Sequence, residues 1–315
     1  MVNPEEFIKE KVEELKNTID GRAIIALSGG VDSSVAAAIT SMAIGDRLTA
    51  VFVDTGYMRK NEAEEVKEIF SGYDMDFRVV DASEEFYEAL KGVINPERKR
   101  KIIGAKFIDV FKEVAEEVGA EYLVQGTIAP DWIESGGELR DTIKSHHNVG
   151  GLPKNIGMKL VEPLRDLYKD EVRELARYLK LEVSERQPFP GPGLAIRIIG
   201  EASPERVEIV REANYIVEDE IDKAVEEGKI SRPWQYFAVL LPVKTVGVHG
   251  DLRAYGETIV VRAVESLDAM SASYSRIPHE ILDRISRRIT NELGDKVNRV
   301  VYDITNKPPG TIEWE

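Results

Sequence analysis

The stretch Ser28-Gly29-Gly30-Val31-Asp32-Ser33-Ser34 gathers the groups needed to hold a phosphate. Two adjacent glycines let the backbone approach a ligand closely, because no Cβ stands in the way. Three serine hydroxyls add hydrogen-bond donors. The carboxylate of Asp32 would repel a phosphate unless a divalent cation lay between them, and Mg2+ is an oxygen-seeking ion that takes both. No G-x-x-x-x-G-K-[ST] occurs in the chain, and no G-x-G-x-x-G follows the strand before this loop, so the two commonest nucleotide loops are excluded. A plain strand-to-helix turn with serine caps would use the same residues.

Three other places carry chemistry. Lys169 opens a helical pattern, where a cation is unfavourable unless an anion lies nearby. It reads as a phosphate ligand or as a solvated lysine. His146-His147 sit in a long irregular stretch, 129–152, with Gly136, Gly137, Gly150 and Gly151. Such stretches act as lids or are disordered. Lid chemistry, bare loop surface and a metal pair all remain open for the two histidines, although a zinc site would need further ligands that a cysteine-free chain cannot supply as thiolates. Arg98-Lys99-Arg100-Lys101 is either a solvated basic helix face or an anion contact.

A strand and a helix must position the glycine loop. Ala23-Ile24-Ile25-Ala26-Leu27 is a short, continuous apolar run, as in a strand buried on both faces. An Ala-rich helix is expected over 35–44, whose N-terminal N–H groups and dipole favour an anion. Strands at 48–53, 77–80 and 121–124 alternate with helices at 62–70 and 98–118. This rhythm predicts a doubly wound α/β domain with a parallel sheet. A strand at 160–161 and a helix at 168–179 continue it. The densest proline-glycine run, Pro188 to Gly193, marks a boundary and reads as a shaped hinge, which places the domains at 1–190 and 191–315. Beyond it, a helix over 204–227 starts with Ser203 as N-cap and Pro204 at the first helical position. Strands at 236–243, 245–248, 258–264 and 299–304, with a helix over 278–293, predict a smaller α+β domain.

Composition narrows the class. The chain has 315 residues, with 42 basic against 57 acidic side chains and a net charge of −15. A polyanion is repelled by such a surface, so no nucleic-acid partner is expected. Absence of cysteine excludes disulfides and a thiol nucleophile. No apolar run reaches 18 residues, and the acidic, helix-periodic start is unlike a signal peptide. A cytoplasmic chain that does not enter a membrane is expected.

With these residues in place, SGGVDSS after a buried first strand resembles the PP-loop of the ATP pyrophosphatase family. Five further segments, in order along almost the whole chain, resemble GMP synthetases. They are Pro130-Asp131-Trp132-Ile133-Glu134-Ser135 with Ile143 to Gly151, Phe189 to Leu194, Gln235 with Phe237 to Pro242, and Lys307 to Glu315. The resemblance is to the ATP pyrophosphatase part of those enzymes, in the type whose glutaminase is a separate polypeptide. It implies amination of xanthosine 5′-monophosphate (XMP) to GMP through an adenylated intermediate, with Mg2+ and ATP, releasing AMP and pyrophosphate.

The same resemblance implies site residues. Ser28, Gly29, Gly30, Val31, Asp32, Ser33, Ser34, Val53 and Lys169 would bind ATP and its pyrophosphate, and Asp32 would hold Mg2+. Asp131, Glu134, Lys144, His146, His147 and Asn148 would form a lid that orders the chemistry. Arg100, Gln235, Lys307, Thr311, Ile312 and Glu313 would contact XMP, while Trp314 is expected as a core or interface anchor. The second domain would dimerise the protein. A class I glutaminase needs a catalytic cysteine and a domain for which 22 residues before the first strand leave no room, so ammonia is expected from a separate glutaminase subunit. An NAD synthetase, a tRNA-thiolating enzyme and an idle nucleotide binder are the rivals, and the second domain speaks against the first.

Overall fold

Five parallel strands form the N-terminal sheet: β1 (Ala23–Ala26), β2 (Leu48–Asp54), β3 (Asp76–Asp81), β4 (Tyr122–Val124) and β5 (Lys159–Val161). Their order is β3-β2-β1-β4-β5. The computed structural model describes residues 3–129, 157–249, 251–267 and 269–315. Every residue from Ala23 to Ile25 in β1 is buried, as its unbroken apolar run requires between two neighbours. The connections run in both directions from β1, and right-handed crossovers then put helices on both faces. The helices of this half of the chain are α1 (Pro4–Thr18), α2 (Val31–Ile44), α3 (Glu62–Ile69), α4 (Ser83–Leu90), α5 (Pro96–Val118) and α6 (Lys169–Tyr178). Both α1 and α6 pack on α2. Helix α4 is absent from the sequence expectation; its start is capped by Asp81, which accepts from the Ser83 N–H and hydroxyl.

Backbone contacts divide the chain into two units. One comprises 1–55, 61–83 and 104–191, the other 56–60, 84–103 and 192–315. In the second unit, α7 (Pro204–Glu226) and α8 (His279–Glu292) pack with a sheet of β6 (Gln235–His249), β7 (Leu252–Glu265), β8 (Ser273–Tyr274) and β9 (Val297–Tyr302). β6 and β8 run antiparallel to β7, and β9 runs parallel to it. Where sequence predicts two strands at 236–243 and 245–248, the chain forms one strand with a register shift between Leu240 and Lys244. Pro242 lies within that shift, and a residue without an N–H is tolerated in a strand at such an irregularity. Ser203 occupies the N-cap of α7, but its hydroxyl makes no capping bond, so Pro204 alone carries the expected start signal.

The hinge motif leads into a buried turn: Leu194 to Arg197 is inaccessible to solvent, and the Leu194 N–H donates to the Tyr57 carbonyl at 2.7 Å. Burial divides the basic run at 98–101, with Arg98 and Lys101 exposed, Arg100 half-buried and Lys99 inside. Lys99 has no exposed surface, so a solvated face does not describe it. Arg197 and Arg262 are equally buried. Arg262 donates to the carbonyls of Thr305 at 2.5 Å, Thr311 at 3.0 Å and Ile312 at 3.4 Å, and pairs with Asp303 at 3.2 Å. Replacing Arg262 by Ala would leave those acceptors buried and unpaired. The expected cost is about 3–5 kcal/mol, to be read as a lower urea midpoint with an unchanged slope.

Candidate active site

The glycine loop lies at the carboxyl end of β1, between β1 and β4, where the strand order reverses. Ligands of open parallel sheets bind at such a crevice. Helix α2 begins at Val31, four residues earlier than expected, with Gly30 as its N-cap. Val31, Asp32, Ser33 and Ser34 therefore form its first turn, whose N–H groups largely lack intrahelical acceptors and suit an anion. Ser33 Oγ donates to the Gly30 carbonyl at 3.2 Å and lies 3.1 Å from Ser28 Oγ, which closes the loop on itself. Gly29 has φ +73°, a left-handed conformation that glycine adopts without strain. Gly126, after β4, is pressed on the loop: a Cβ there would lie 2.8 Å from the Asp32 carbonyl carbon and the Ser33 nitrogen. Ser34 Oγ is buried and has no hydrogen-bond partner among the described residues.

Charges surround this cradle. Lys169, the first residue of α6, donates to Asp32 Oδ2 at 2.5 Å, so the helix-start lysine is directed to the loop. Val53 is buried near the carboxyl end of β2. Beside Gly29 stands a pair that sequence reading missed. The Glu62 carboxylate, at the start of α3, is 1% exposed, and a Cβ on Gly29 would lie 2.5 Å from its Oε1. Arg186 Nη1 lies 3.8 Å from that oxygen, and Arg186 Nη2 donates to Glu65. Nothing in the local patterns around 62 and 186 signals this meeting. The lid residues Asp131, Glu134, Lys144, His146, His147 and Asn148 lie outside the described residues.

In the second unit the final segment is held by buried cations. Arg197 donates to both oxygens of Glu313, at 2.8 and 3.1 Å, with its guanidinium 4.1 Å from the Phe237 ring centre. Gln235 Nε2 donates to Glu313 Oε1 at 3.0 Å. Ile312 packs in a cluster with Phe237, Val239, Val260 and Val264. Thr311 donates its hydroxyl to the Glu313 carbonyl, and Lys307 Nζ to the Ala269 carbonyl at 2.7 Å. Arg100 reaches the Glu315 carbonyl. Gln235, Thr311, Ile312 and Glu313 thus come together, and Arg100 and Lys307 attach at two other points of the same segment. A cavity of about 470 Å³ is lined by Arg262, Asp303, Thr305, Thr311, Glu313 and Trp314, among others. Trp314 is not a core residue: it is 38% exposed, lines this cavity, and donates from Nε1 to Asp303 at 3.0 Å.

Lys99 donates to the carbonyls of Ala195 and Ile198 and to Glu315 Oε2 at 2.5 Å. Burial pushes the Lys99 ammonium down and the Glu315 carboxyl up, and each charge only partly offsets the shift of the other. Arginines inside apolar runs were the available signal for Arg197 and Arg262, since a charge set among Ala, Ile and Val must find a partner.

Against known proteins, the chain is 61% identical to a subunit of the glutamine-hydrolyzing GMP synthase of Pyrococcus abyssi, over 100% of both chains. It belongs to the GMP synthase family. The corresponding subunit of Thermococcus kodakarensis is 62% identical over 99% of each chain. A model of the GMP synthase C terminal domain matches residues 219–314, and one of NAD synthase matches residues 1–107. Among solved structures, an NMN synthetase from Francisella tularensis covers 73% of this chain and 88% of its own, at 18% identity and a TM-score of 0.48, too slight a likeness to carry an argument.

Two tests follow for this member of the GMP synthase family. Gly126→Ala sets a Cβ against main chain that cannot swing aside, and is expected to cost about 1–3 kcal/mol. Thermal melts should show the loss, and a smaller upward shift on adding ATP would show that the cradle has moved. Glu315 sets a pH dependence. Because its carboxyl is raised in the fold from 4.5, its contribution to stability is full below that value and is lost as pH rises through the raised one. Urea unfolding across this range should show a declining stability whose slope flattens in Glu315→Gln.

Proposed function

We propose that this chain aminates XMP to GMP at the expense of ATP, as a C–N ligase supplied with ammonia by a separate class I glutaminase subunit. The observation that carries this reading is identity of 61% along the whole chain to a relative named as one subunit of a glutamine-hydrolyzing GMP synthase. The purine O2 attacks the α-phosphorus of ATP, and pyrophosphate leaves. Ammonia then displaces AMP from the adenylated purine. What the protein must supply is a place for the charge of the departing pyrophosphate. The first-turn N–H groups of α2, with Ser28, Ser33 and Ser34, suit that charge, and Ser34 Oγ has no competing partner among the described residues.

Lys169, paired with Asp32 beside the loop, would contact a phosphate, and Val53, near the carboxyl end of β2, would contact the adenine. Asp32 would hold Mg2+, an ion that needs only one or two carboxylates when phosphates and water complete its shell. When bound, the ion would neutralise phosphate charge. Asp131, Glu134, Lys144, His146, His147 and Asn148 would close the site. Arg100, Gln235, Lys307, Thr311, Ile312 and Glu313 would present XMP from the second domain, 191–315, while residues 1–190 use ATP. A homodimer through the second domain is supported by Val246, Val248, Leu252 and Tyr255, apolar and exposed on the β6–β7 hairpin. No helix of the described residues is long and apolar enough to cross a membrane, and a cytoplasmic enzyme accords with that.

The test is GMP formation and pyrophosphate release from ATP, Mg2+, XMP and ammonium. Ammonium should support the reaction. Glutamine should support none until the separate glutaminase is added. Amination of nicotinate adenine dinucleotide in place of XMP would instead assign the chain to the NAD synthetase reaction.

A further inference from the structure

We infer that Arg186 is a positioning residue for the pyrophosphate cradle, acting through Glu62; this rests on the reading of the glycine loop as the ATP site. The Glu62 carboxylate lies so close to Gly29 that only the absence of a side chain leaves room for it. It is almost fully buried. A lone carboxylate in that place would oppose the binding of a polyanion to the loop, because charges out of water are poorly screened. Arg186 answers this with a positive charge. Its Nη1 is 3.8 Å from Glu62 Oε1 and 3.7 Å from where a Gly29 Cβ would stand. That nitrogen is buried and donates no hydrogen bond among the described residues, so it acts on Glu62 by charge rather than as a rigid strut. The other guanidinium nitrogen is anchored on Glu65, one turn along α3. The planar fork therefore spans the two carboxylates of the helix start and brings a positive charge up to the loop. Its effect falls on ATP and pyrophosphate, which share that end of the site, and not on the second substrate.

The test compares the wild type with Arg186→Met, Arg186→Lys and the double variant Glu62→Gln/Arg186→Met. ATP Kd is measured by calorimetry, and ATP–pyrophosphate exchange with XMP gives KM for each substrate. Arg186→Met should raise the ATP Kd about tenfold, equivalent to about 1.4 kcal/mol. It should leave the KM for XMP unchanged. Arg186→Lys keeps the charge, and the double variant removes both charges, so each should return ATP affinity to near the wild-type value. An unchanged ATP Kd in Arg186→Met overturns the inference. So does a loss in Arg186→Lys or in the double variant as large as in Arg186→Met, since shape rather than charge would then be at work. Should Arg186→Met not fold, near-wild-type ATP affinity in the other two variants supports the inference, and a tenfold loss in either overturns it. Lack of XMP-dependent exchange in the wild type itself would sink the proposed function, while the calorimetric series would still decide the role of Arg186.

Discussion

A cation taken out of water has to find anions or carbonyl oxygens close by, and the second unit is organised around three that do so. Arg262 gathers the carbonyls of Thr305, Thr311 and Ile312, Arg197 holds the carboxylate of Glu313, and Lys99 holds that of Glu315. The final thirteen residues have no helix, and these bonds, the burial of Ile312 and the backbone pairing of Lys307 with Ala272 hold them to the rest of the unit. Such pairing is costly to break and cannot be replaced by nearby water. It sets the position of Thr311 and Glu313 at the cavity wall, and so joins the packing of the sheet to the shape of the proposed XMP site.

In the first unit, charge is arranged for a ligand rather than for a tail. The loop puts a carboxylate, Asp32, among N–H groups meant for an anion, and pairs it with Lys169 from a helix more than a hundred residues away. A second carboxylate, Glu62, stands against Gly29 of the loop with Arg186 beside it. Each acid next to the cradle is thus accompanied by a base. The backbone completes the design: Gly126 comes so close to Asp32 and Ser33 that β4 sets the depth of the loop. A strand order that reverses between β1 and β4 gives this contact its opportunity, since neighbouring connections part there and leave a crevice.

Much of this was legible beforehand, though unevenly. β1 could be read from an unbroken apolar run, because a strand buried on both faces has no polar side to show. The helix after the loop is expected from residue 35 and starts at Val31, since Val31 to Ser34 look like loop by composition but form the turn in which polar side chains are favoured. Sequence predicts strands at 236–243 and 245–248 with a break at Lys244, yet one strand spans Gln235–His249, because the irregularity is absorbed as a register shift between Leu240 and Lys244 that also accommodates Pro242. Arg262 lay in plain view in an apolar strand, yet its partners come from residues forty and more positions away.

By itself, then, the sequence determined the alternation of strand and helix, the glycine-serine loop and its place after the first strand. All three are local: they depend on side-chain period, on glycine, and on hydroxyls within a few residues of one another. Tertiary structure alone decided which charges meet. Lys99 and Arg100 are adjacent and chemically alike, but one is sealed among carbonyls with Glu315 and the other keeps part of its surface in solvent. Glu62 and Arg186 carry no mark that distinguishes them from the other acids and bases of a chain so rich in both. Pairing of charges is set by distance in space, and distance in space is fixed only once the sheet order and the helix packing have brought remote segments together.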